Sequence, residues 1–379
     1  MSRLAKVKSF YNINLTSDDE VFVGIDVHKK SYHVAFALNG VPAIDFNMVA
    51  KPKKLNEKLQ PMAQSIKQIV YETGPTGYGL VRNLIKNKFP ASVVATSRIP
   101  RPATADDKTD KLDSIKLAQY AAKGLLHPIA IPTLRQEADR QLYRMRHRQA
   151  HQFAKVKVQI KSFLLMHGID EPEELKNWTL AGVQYLRDMR LLDTLRLSLD
   201  ELLNDYDYFN SRVKQLSKTI AASLDKGVLG RRMGLLKTHP GVGAVVSCQF
   251  VTELFHYKDF SSAKQLYKYL GLCPRVSQSG ERSSSGSINK AANGRLRNNL
   301  IQAAWSWVRT DIEASKCFWR IYKNCGGLKQ KAIVAMARKM SGHLWAMLMN
   351  DQPYDKEKAK SRLNKEKQKK KESPAAMLL

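Results

Sequence analysis

Four acidic residues in the first third of the chain have the types and positions expected of a metal site. Asp26 lies near the end of the apolar segment VFVGIDV, and Glu72 ends the apolar segment IKQIVYE. Asp110 and Asp113 are three positions apart, so one side of a helix would carry both. Carboxylates that converge repel one another unless cations neutralise them. Mg²⁺, or Mn²⁺ in its place, prefers oxygen ligands and shares phosphate oxygens, so the four acids predict metal-dependent phosphodiester chemistry.

The settings of Asp26 and Glu72 distinguish them from the other acids of the chain. Most of the 34 acidic residues are expected to be ordinary surface residues. An aspartate inside the apolar segment GIDV, however, is costly to bury without a partner or a role, and a glutamate that follows IVY is equally unusual. Asp106 and Asp107 are further candidates, but they fall in the loop before the predicted helix.

The elements that must position these acids follow from the pattern of residues 21–125. Short β-branched and apolar segments predict strands at 21–27, 31–39, 41–49, 66–72 and 91–96. Helical spacing predicts helices at 53–65, 76–88 and 108–125. The order favours an α/β layer with a mixed sheet. Strand ends at one sheet edge would bring Asp26 and Glu72 together, and the last helix would add the other two acids.

The middle of the chain has a different, helical pattern. Apolar residues recur at alternating steps of four and three from Leu195 to Ile220, which predicts a coiled coil or a long helical hairpin. A preceding helix over 137–163 is strongly basic, and the break between the two helices is expected near His167–Glu174. The basic face of this first helix fits a contact with nucleic acid about as well as it fits an ordinary solvated surface.

Composition restricts the classes of partner. The chain has 379 residues with a formal net charge of +29, which favours a polyanionic partner. No apolar stretch is long enough to predict a membrane span, and no signal peptide is apparent, so we expect a cytoplasmic, nucleoid-associated protein. The four cysteines form no C-x-x-C pair and are predicted to be free thiols. Residues 351–379 are rich in lysine and predict a basic disordered tail.

Motifs in both halves of the chain resemble one known family. GIDVHK, YETGPTGYGL and KTDKLDSIKLA, within residues 24–118, are similar to the RuvC-like part of DEDD insertion-sequence transposases. HPGVGAVVSCQFVTEL, YLGLCPRVSQSGE and GSINKAANGRLR, within residues 239–297, resemble the second domain of the same family. The resemblance covers roughly residues 20–350. It is a resemblance to the transposases that act as recombinases guided by a bridge RNA.

The resemblance implies a fold of class α/β plus α. It predicts a RuvC-like RNase H domain over 1–130, a coiled-coil helical region over 131–228, a mainly helical transposase domain over 229–350 and the tail. It also implies a serine nucleophile at Ser279, with Ser277 as the alternative. A serine needs activation by a base or a metal, which the RuvC-like carboxylates could supply. Two departures from the family pattern are Ala292, where glycine is usual, and Ser114, where alanine is usual.

Further residues are expected to bind nucleic acid. The serine-rich segment SQSGERSSSGS, residues 277–287, is predicted to be a polar loop. Basic side chains around this serine loop could hold phosphate and stabilise developing charge; they are Arg275, Arg282, Lys290, Arg295 and Arg297. The segment PGVG resembles the turn of a helix-hairpin-helix, in which the backbone N–H groups at Gly241 and Gly243 would approach phosphate. The same segment also fits a plain tight turn between two helices.

The combined prediction is a transposase and site-specific DNA recombinase of a prokaryotic insertion sequence. Its expected partners are donor and target DNA, a guide RNA, and further copies of the chain in a dimer or tetramer formed through the coiled coil, with no membrane. Two alternatives remain. A RuvC-like junction resolvase would use the same four acids with water and would not need Ser279. A non-enzymatic nucleic-acid scaffold would need neither.

Overall fold

The computed structural model describes residues 15–100, 109–224, 226–279, 282–289 and 292–357. The chain divides into two compact units, residues 1–131 and 132–379. Asp106, Asp107, Lys290 and the predicted tail from residue 358 lie outside the described residues. The predicted division into domains stays a prediction.

The first unit contains a mixed five-stranded sheet in the order β3-β2-β1-β4-β5. The predicted strands are confirmed; they are β1 (Val21–Val27), β2 (Ser31–Leu38), β3 (Val41–Val49), β4 (Ile66–Glu72) and β5 (Ala91–Val94). The first three form an antiparallel meander, whereas β4 and β5 run parallel to β1. This architecture confirms the predicted α/β layer and is consistent with a RuvC-like transposase domain.

Helices cover both faces of this sheet. Short helices α1 (Pro52–Leu59) and α2 (Gly79–Lys86) bury Leu55, Leu59 and Leu84 against one face. Helix α3 (Asp110–Ala122) packs on the other face, where Leu117 and Ala121 meet Val70 of β4. All three helices are shorter than predicted, with the largest difference at the end of α1, where a 3-10 turn at Gln60–Met62 follows Leu59. The hydrophobic pattern predicts a helix better than it predicts where the helix ends.

The second unit begins with a pair of long helices, α4 (Leu134–Met166) and α6 (Asp193–Leu224), with the short helix α5 (Leu180–Asp188) between them. The ring of Phe153 in α4 contacts the ring of Tyr206 in α6, and Arg146, earlier in α4, donates to Ser217, later in α6. The two long helices therefore run antiparallel. The predicted break near His167 is confirmed, and the hairpin form of the prediction describes this pair. Coiled-coil pairing with a second copy of the chain stays a prediction.

Helix α4 does not bury one continuous stripe of residues. Leu142 is only half-buried, and the fully buried residue beside it is Tyr143. Tyr143 packs into the core of the later helices, whereas Val156 and Ile160 pack against α5 and α6. Helix α4 therefore faces two different cores along its length, and a single 4-3 repeat cannot describe both.

The described residues in the remainder of the second unit form helices and a two-stranded hairpin. The helices are α7 (Gly227–Lys237), α8 (Ala244–Glu253), α9 (Ala263–Leu270), α10 (Gly294–Thr310), α11 (Ile312–Asn324) and α12 (Lys329–Asn350). The segment predicted as a polar loop, residues 277–287, instead belongs to an antiparallel hairpin of β6 (Pro274–Ser279) and β7 (Arg282–Ile288). Apolar and polar residues do not alternate in this serine-rich segment, so the sequence shows no sign of a strand.

Two expectations from composition can be compared with the structure. Cys248, Cys273, Cys317 and Cys325 are free thiols, as predicted. Within the described part of the chain, no helix combines the length and the apolar character needed to cross a membrane.

Candidate active site

The ends of β1 and β4 place two of the predicted acids side by side. The last paired residues of these parallel strands are Ile25 and Tyr71, and Asp26 and Glu72 each follow by one position. Ile25 and Tyr71 are fully buried against α1 and α2. Because side chains alternate along a strand, Asp26 and Glu72 both belong to the opposite face, the one that α3 covers.

Gly24 allows α3 to approach this face closely. A Cβ at Gly24 would lie 2.1 Å from the carbonyl oxygen of Ser114 and 2.6 Å from the backbone nitrogen of Ala118, both in α3. Only glycine fits, because the obstructing atoms are backbone. Gly24 and Asp26 are two positions apart and share a face, so the close approach of α3 brings its first turn towards Asp26. Ser114, one of the two departures from the family pattern, is accommodated because its hydroxyl donates to the carbonyl oxygen of Lys111.

The first turn of α3 carries the other two acids. Thr109 caps the helix by accepting a hydrogen bond from the backbone N–H of Leu112, so Asp110 and Asp113 lie in the first turn, where the helix dipole favours negative charge. His28 Nε2 lies 3.1 Å from Asp26 Oδ2 and 3.2 Å from Asp110 Oδ2. One ligand atom from each of these three residues lies within 4.8 Å of the others.

The charges of this group of three act on Asp26 in opposite directions. Burial raises the pKa of Asp26, the charge of His28 lowers it, and the charges of Asp110 and Asp113 raise it, so that the pKa lies above its usual value. The charge of Asp26, in turn, raises the pKa of His28. Two carboxylates held this close need a counter-charge, which His28 or a divalent cation can supply. The oxygen-rich donor set with one imidazole fits a divalent metal, although hard Mg²⁺ uses imidazole less readily than Mn²⁺ does.

The structure brings together only part of the predicted set. Asp26 and Asp110 meet through His28, and Asp113 is near enough to affect the pKa of Asp26. Glu72 shares the face of Asp26, but it lies outside this group of three in the described residues. His28 was missed by the sequence reasoning. Its signal was the spacing in GIDVHK, since it follows Asp26 by two positions and therefore shares its side of an extended chain.

The predicted nucleophile lies in the second unit. Ser279 is the last residue of β6 and pairs in register with Arg282, the first residue of β7, while Ser277 pairs with Ser284. The side chains of residues 275–285 lie outside the described residues, including those of Ser277, Ser279, Arg275 and Arg282. The backbone thus places the predicted serine next to the tip of a hairpin.

Family models match both the region of the four acids and the region of the serine hairpin, and both models describe transposases of the IS110 group. A transposase model of the DEDD type from the IS110 group matches residues 23–168, which include all four acids. A second model, described as the Transposase IS116/IS110/IS902 family, matches residues 233–320, which include the serine hairpin. The two models match in the order that the resemblance predicted and together cover more than half of the chain.

The chain belongs to the IS110/IS116 family of transposases. It is similar to the transposase for insertion sequence element IS1533 of Leptospira borgpetersenii, with 27% identity over 88% of this chain and 97% of that protein. It is also similar to the transposase for insertion sequence element IS1111A of Coxiella burnetii, with 23% identity over 70% of this chain and 73% of that protein. The pilin gene-inverting protein of Moraxella bovis shows 30% identity over 34% of this chain and 40% of that protein. The chain is therefore an enzyme of DNA strand transfer, and its DEDD-type domain implies a divalent metal.

In this transposase, the base of the serine hairpin is held by a residue that was predicted to bind nucleic acid. Arg297 donates from Nη1 to the carbonyl oxygen of Asn289 at 2.7 Å, just after β7. Gly271, just before β6, has a φ of +66°, and a Cβ there would lie 2.6 Å from both of these groups. Arg297 therefore has an intramolecular role at the hairpin base, whereas Arg295 is exposed at the start of α10.

The PGVG segment forms the turn between α7 and α8, in agreement with its predicted position. Gly241 has a φ of +83° and packs so closely on α10 that a Cβ would lie 2.6 Å from the carbonyl oxygen of Ala303. Gly243 is exposed and is the N-cap residue of α8. The close packing on α10 thus explains why residue 241 is a glycine. Gly243 has no side chain, so it makes no side-chain cap at the start of α8. Binding of phosphate at either glycine stays a prediction.

The basic face of α4 is largely engaged within the second unit. Arg144 makes a two-pronged ion pair with Glu253 of α8, with both N–O distances at 2.8 Å, and Glu253 is only 3% exposed. Arg146 donates to Ser217, and Arg140 lies over the ring of Phe255. These arginines therefore take part in the packing of α4, and a contact of this face with nucleic acid stays a prediction.

Proposed function

We propose that this transposase cuts and rejoins DNA with Mg²⁺ held by Asp26, Asp110 and Asp113, with Glu72 beside them on the same sheet face. The observation that carries the proposal is the convergence of Asp26, His28 and Asp110, whose ligand atoms lie within 4.8 Å of one another. A bound divalent ion would polarise a phosphodiester and stabilise the charge that develops on its oxygens. The carboxylates of this chain would hold that ion and orient the DNA backbone towards it.

We propose Ser279 as the nucleophile of strand transfer. Its hydroxyl oxygen would attack a phosphorus of the DNA backbone, and a new oxygen–phosphorus bond would form as one backbone phosphorus–oxygen bond breaks. The serine proton is lost, and the departing DNA hydroxyl gains one. Attack by a hydroxyl of another strand would reverse the step and release the serine. The match of the second family model across residue 279 supports this proposal, as does the position of Ser279 beside the hairpin tip.

The remaining parts of the proposal concern partners. The formal charge of +29 and the family resemblance support an element-encoded guide RNA beside the DNA. The α4–α6 pair would join copies of the chain, since recombination of two duplexes requires several active sites. The relatives that invert pilin genes favour inversion, in addition to insertion and excision, among the reactions open to this chain.

Two variants test the proposal on DNA that carries the ends of the insertion sequence. Asp26→Asn is expected to abolish metal-dependent strand cleavage while DNA binding stays intact, and Asp18→Asn, an exposed acid in the same unit, is the matched control. Ser279→Ala is expected to abolish strand joining. Unchanged cleavage by Asp26→Asn would overturn the acidic site.

The Ser279 variant also separates a serine mechanism from one that uses water, as a junction resolvase does. With water as the nucleophile, Ser279→Ala would remain fully active and Asp26→Asn would lose activity.

A further inference from the structure

An ion-pair network lies beside the acidic site, on the same face of the sheet. Asp45 of β3 uses both oxygens of its carboxylate. One lies 3.1 Å from Nε2 of His33 in β2, and the other lies 2.7 Å from Nζ of Lys111 in α3. His33 is in turn the register partner of Asp26 in β1. The network therefore extends from the outer strand of the meander, past the strand that carries Asp26, to the helix that carries Asp110 and Asp113.

Lys111 lies in the part of α3 whose placement decides how far Asp110 and Asp113 lie from Asp26. It directly follows Asp110 and precedes Asp113 by two positions, so it belongs to the same first turn. The ion pair with Asp45 therefore connects that turn directly to β3. The side chains of Asp45 and His33 are 24% and 15% exposed, whereas that of Lys111 is 56% exposed, so the network is partly shielded from water on its sheet side.

The first turn of α3 needs such a connection because its charges push it away from the sheet. A carboxylate oxygen of Asp110 lies within 4.8 Å of one of Asp26, so the charged forms of these two residues repel each other. His28, which lies within 3.2 Å of both carboxylates, offsets part of this repulsion. Until a cation is bound, this repulsion favours movement of the turn away from β1. The attraction between Lys111 and Asp45 acts in the opposite direction and on the same turn.

We propose that Asp45 is a positioning residue for metal binding. Through Lys111, it holds the first turn of α3 at the distance from β1 at which Asp26, Asp110 and Asp113 bind one divalent ion. This role rests on the metal site of the proposed function. Asp45 contacts neither the ion nor the DNA in this account, and its effect reaches the site only through the placement of the turn.

A simple charge effect makes the opposite prediction for Lys111. If the network acted only through long-range electrostatics, loss of the negative Asp45 would weaken binding of a cation, but loss of the positive Lys111 would strengthen it. If the network acts by positioning, both losses weaken binding. The sign of the Lys111 effect therefore separates the two explanations.

The test is calorimetric titration of the full-length chain with Mn²⁺, without DNA. Asp45→Asn and Lys111→Met are each expected to weaken Mn²⁺ binding about fivefold, the size of a well-placed ion pair at partial exposure. The double variant should be no weaker than either single one, because each removes the same interaction. Lys111→Arg keeps the cation and is expected to retain most of the affinity. Asp200→Asn, which removes an ion pair with Arg196 in the second unit, is the matched control and should change nothing.

Several results would overturn this inference. Tighter Mn²⁺ binding by Lys111→Met would show a charge effect alone, and fully additive losses in the double variant would show two independent roles. Circular dichroism and thermal unfolding of each variant separate lost binding from lost folding, and the Lys111→Arg variant gives a folded reference if Asp45→Asn unfolds. Asp26→Asn separates the two proposals: if it leaves Mn²⁺ binding unchanged, the metal site itself is wrong, whereas abolished binding with Asp26→Asn and normal binding with Asp45→Asn refutes only the role of Asp45.

Discussion

The acidic site and the serine hairpin of this transposase are held in place by different means. The acids of the first unit project from the ends of two parallel strands and from the first turn of a helix, and backbone packing at Gly24 sets their separation. At the base of the hairpin of the second unit, the described residues make polar contacts. Arg297 donates to the carbonyl oxygen of Asn289, and Asn293 donates to Glu253.

This difference has a consequence for how each region responds to change. A site fixed by backbone packing in a sheet and helix is rigid, and it fails abruptly when the packing is obstructed. A hairpin fixed by side-chain hydrogen bonds and ion pairs depends on a few polar groups, each of which can be removed singly. The first region should therefore show few, large mutational effects, and the second should show several graded ones.

Gly24→Ala is the substitution with the largest expected effect. The added methyl group would lie 2.1 Å from the carbonyl oxygen of Ser114, so α3 must move away from the sheet. We expect the free energy of unfolding to fall by about 4 kcal/mol, and Mn²⁺ binding to be lost. Urea unfolding and calorimetry measure the two effects. Gly79→Ala, in the same unit and with nothing within 4 Å of the added atom, is the control and should leave both unchanged. Equal behaviour of the two variants would refute the packing argument.

Loss of the buried carboxylate behind the hairpin should have the next largest effect. Glu253 is 3% exposed, its pKa is lowered chiefly by hydrogen bonds and charge from Arg144 despite the opposing effect of burial, and Asn293 donates to it at 3.4 Å. Glu253→Ala leaves Arg144 without its carboxylate partner and should lower the free energy of unfolding by about 3 kcal/mol. Denaturant unfolding measures the loss. A loss no greater than that of the exposed variant Glu313→Ala would mean that the pair contributes only as a surface ion pair does.

The stability of the second unit should depend on pH through one buried histidine, His239. Burial and the nearby His343 lower the pKa of His239 from 6.5 to about 3, and its Nδ1 donates to the carbonyl oxygen of Pro240. The unfolded chain therefore binds a proton that the folded chain does not, so stability is complete above pH 6.5 and falls as the pH drops towards 3. Between pH 7.5 and 5.5 the loss from this residue is about 1.4 kcal/mol. The loss should shrink in His239→Gln and persist in the exposed control His151→Gln; an unchanged slope in His239→Gln would contradict this assignment.

Loss of a helix cap is expected to have the smallest effect on stability, and two caps can be compared to separate this effect from an effect on strand joining. Asn293 caps α10 by accepting from the N–H of Leu296, and Asp311 caps α11 by accepting from the N–H of Ala314. Replacement of either cap with alanine should cost about 1 kcal/mol in denaturant unfolding. Only Asn293→Ala should also slow strand joining, because Asn293 follows the serine hairpin and contacts Glu253. Equal rates of strand joining in the two variants would show that the hairpin base does not affect the reaction.

Much of the first unit could be predicted from the sequence because its signals are local. Apolar segments of strand length ended at Asp26 and Glu72, and a three-residue spacing placed Asp110 and Asp113 on one turn of a helix. His28 escaped notice because a histidine in a polar turn is usually solvent-exposed and without function. Asp45 escaped because its partners, His33 and Lys111, come from two other elements that only the fold brings together.

The second unit was less predictable for a physical reason. Strand prediction depends on alternation of apolar and polar residues, and residues 277–287 contain almost no apolar side chains. The packing role of the α4 arginines was also not visible, since the sequence shows their charge but not the buried carboxylate of Glu253, which Arg144 contacts 109 residues away. Ser279 could be named through the family resemblance alone.

The central claim, that an acidic metal site and a serine nucleophile act in one strand-transfer reaction, is tested most directly by trapping the covalent intermediate. The full-length chain would react with labelled DNA that carries the insertion-sequence ends, in the presence of Mg²⁺, and denaturation followed by mass spectrometry of the digested adduct would identify the linked residue. We predict a phosphoserine link at Ser279, and no adduct with Asp26→Asn or with Ser279→Ala. Cleaved DNA ends without any protein link, or an undiminished adduct with Asp26→Asn, would contradict the claim.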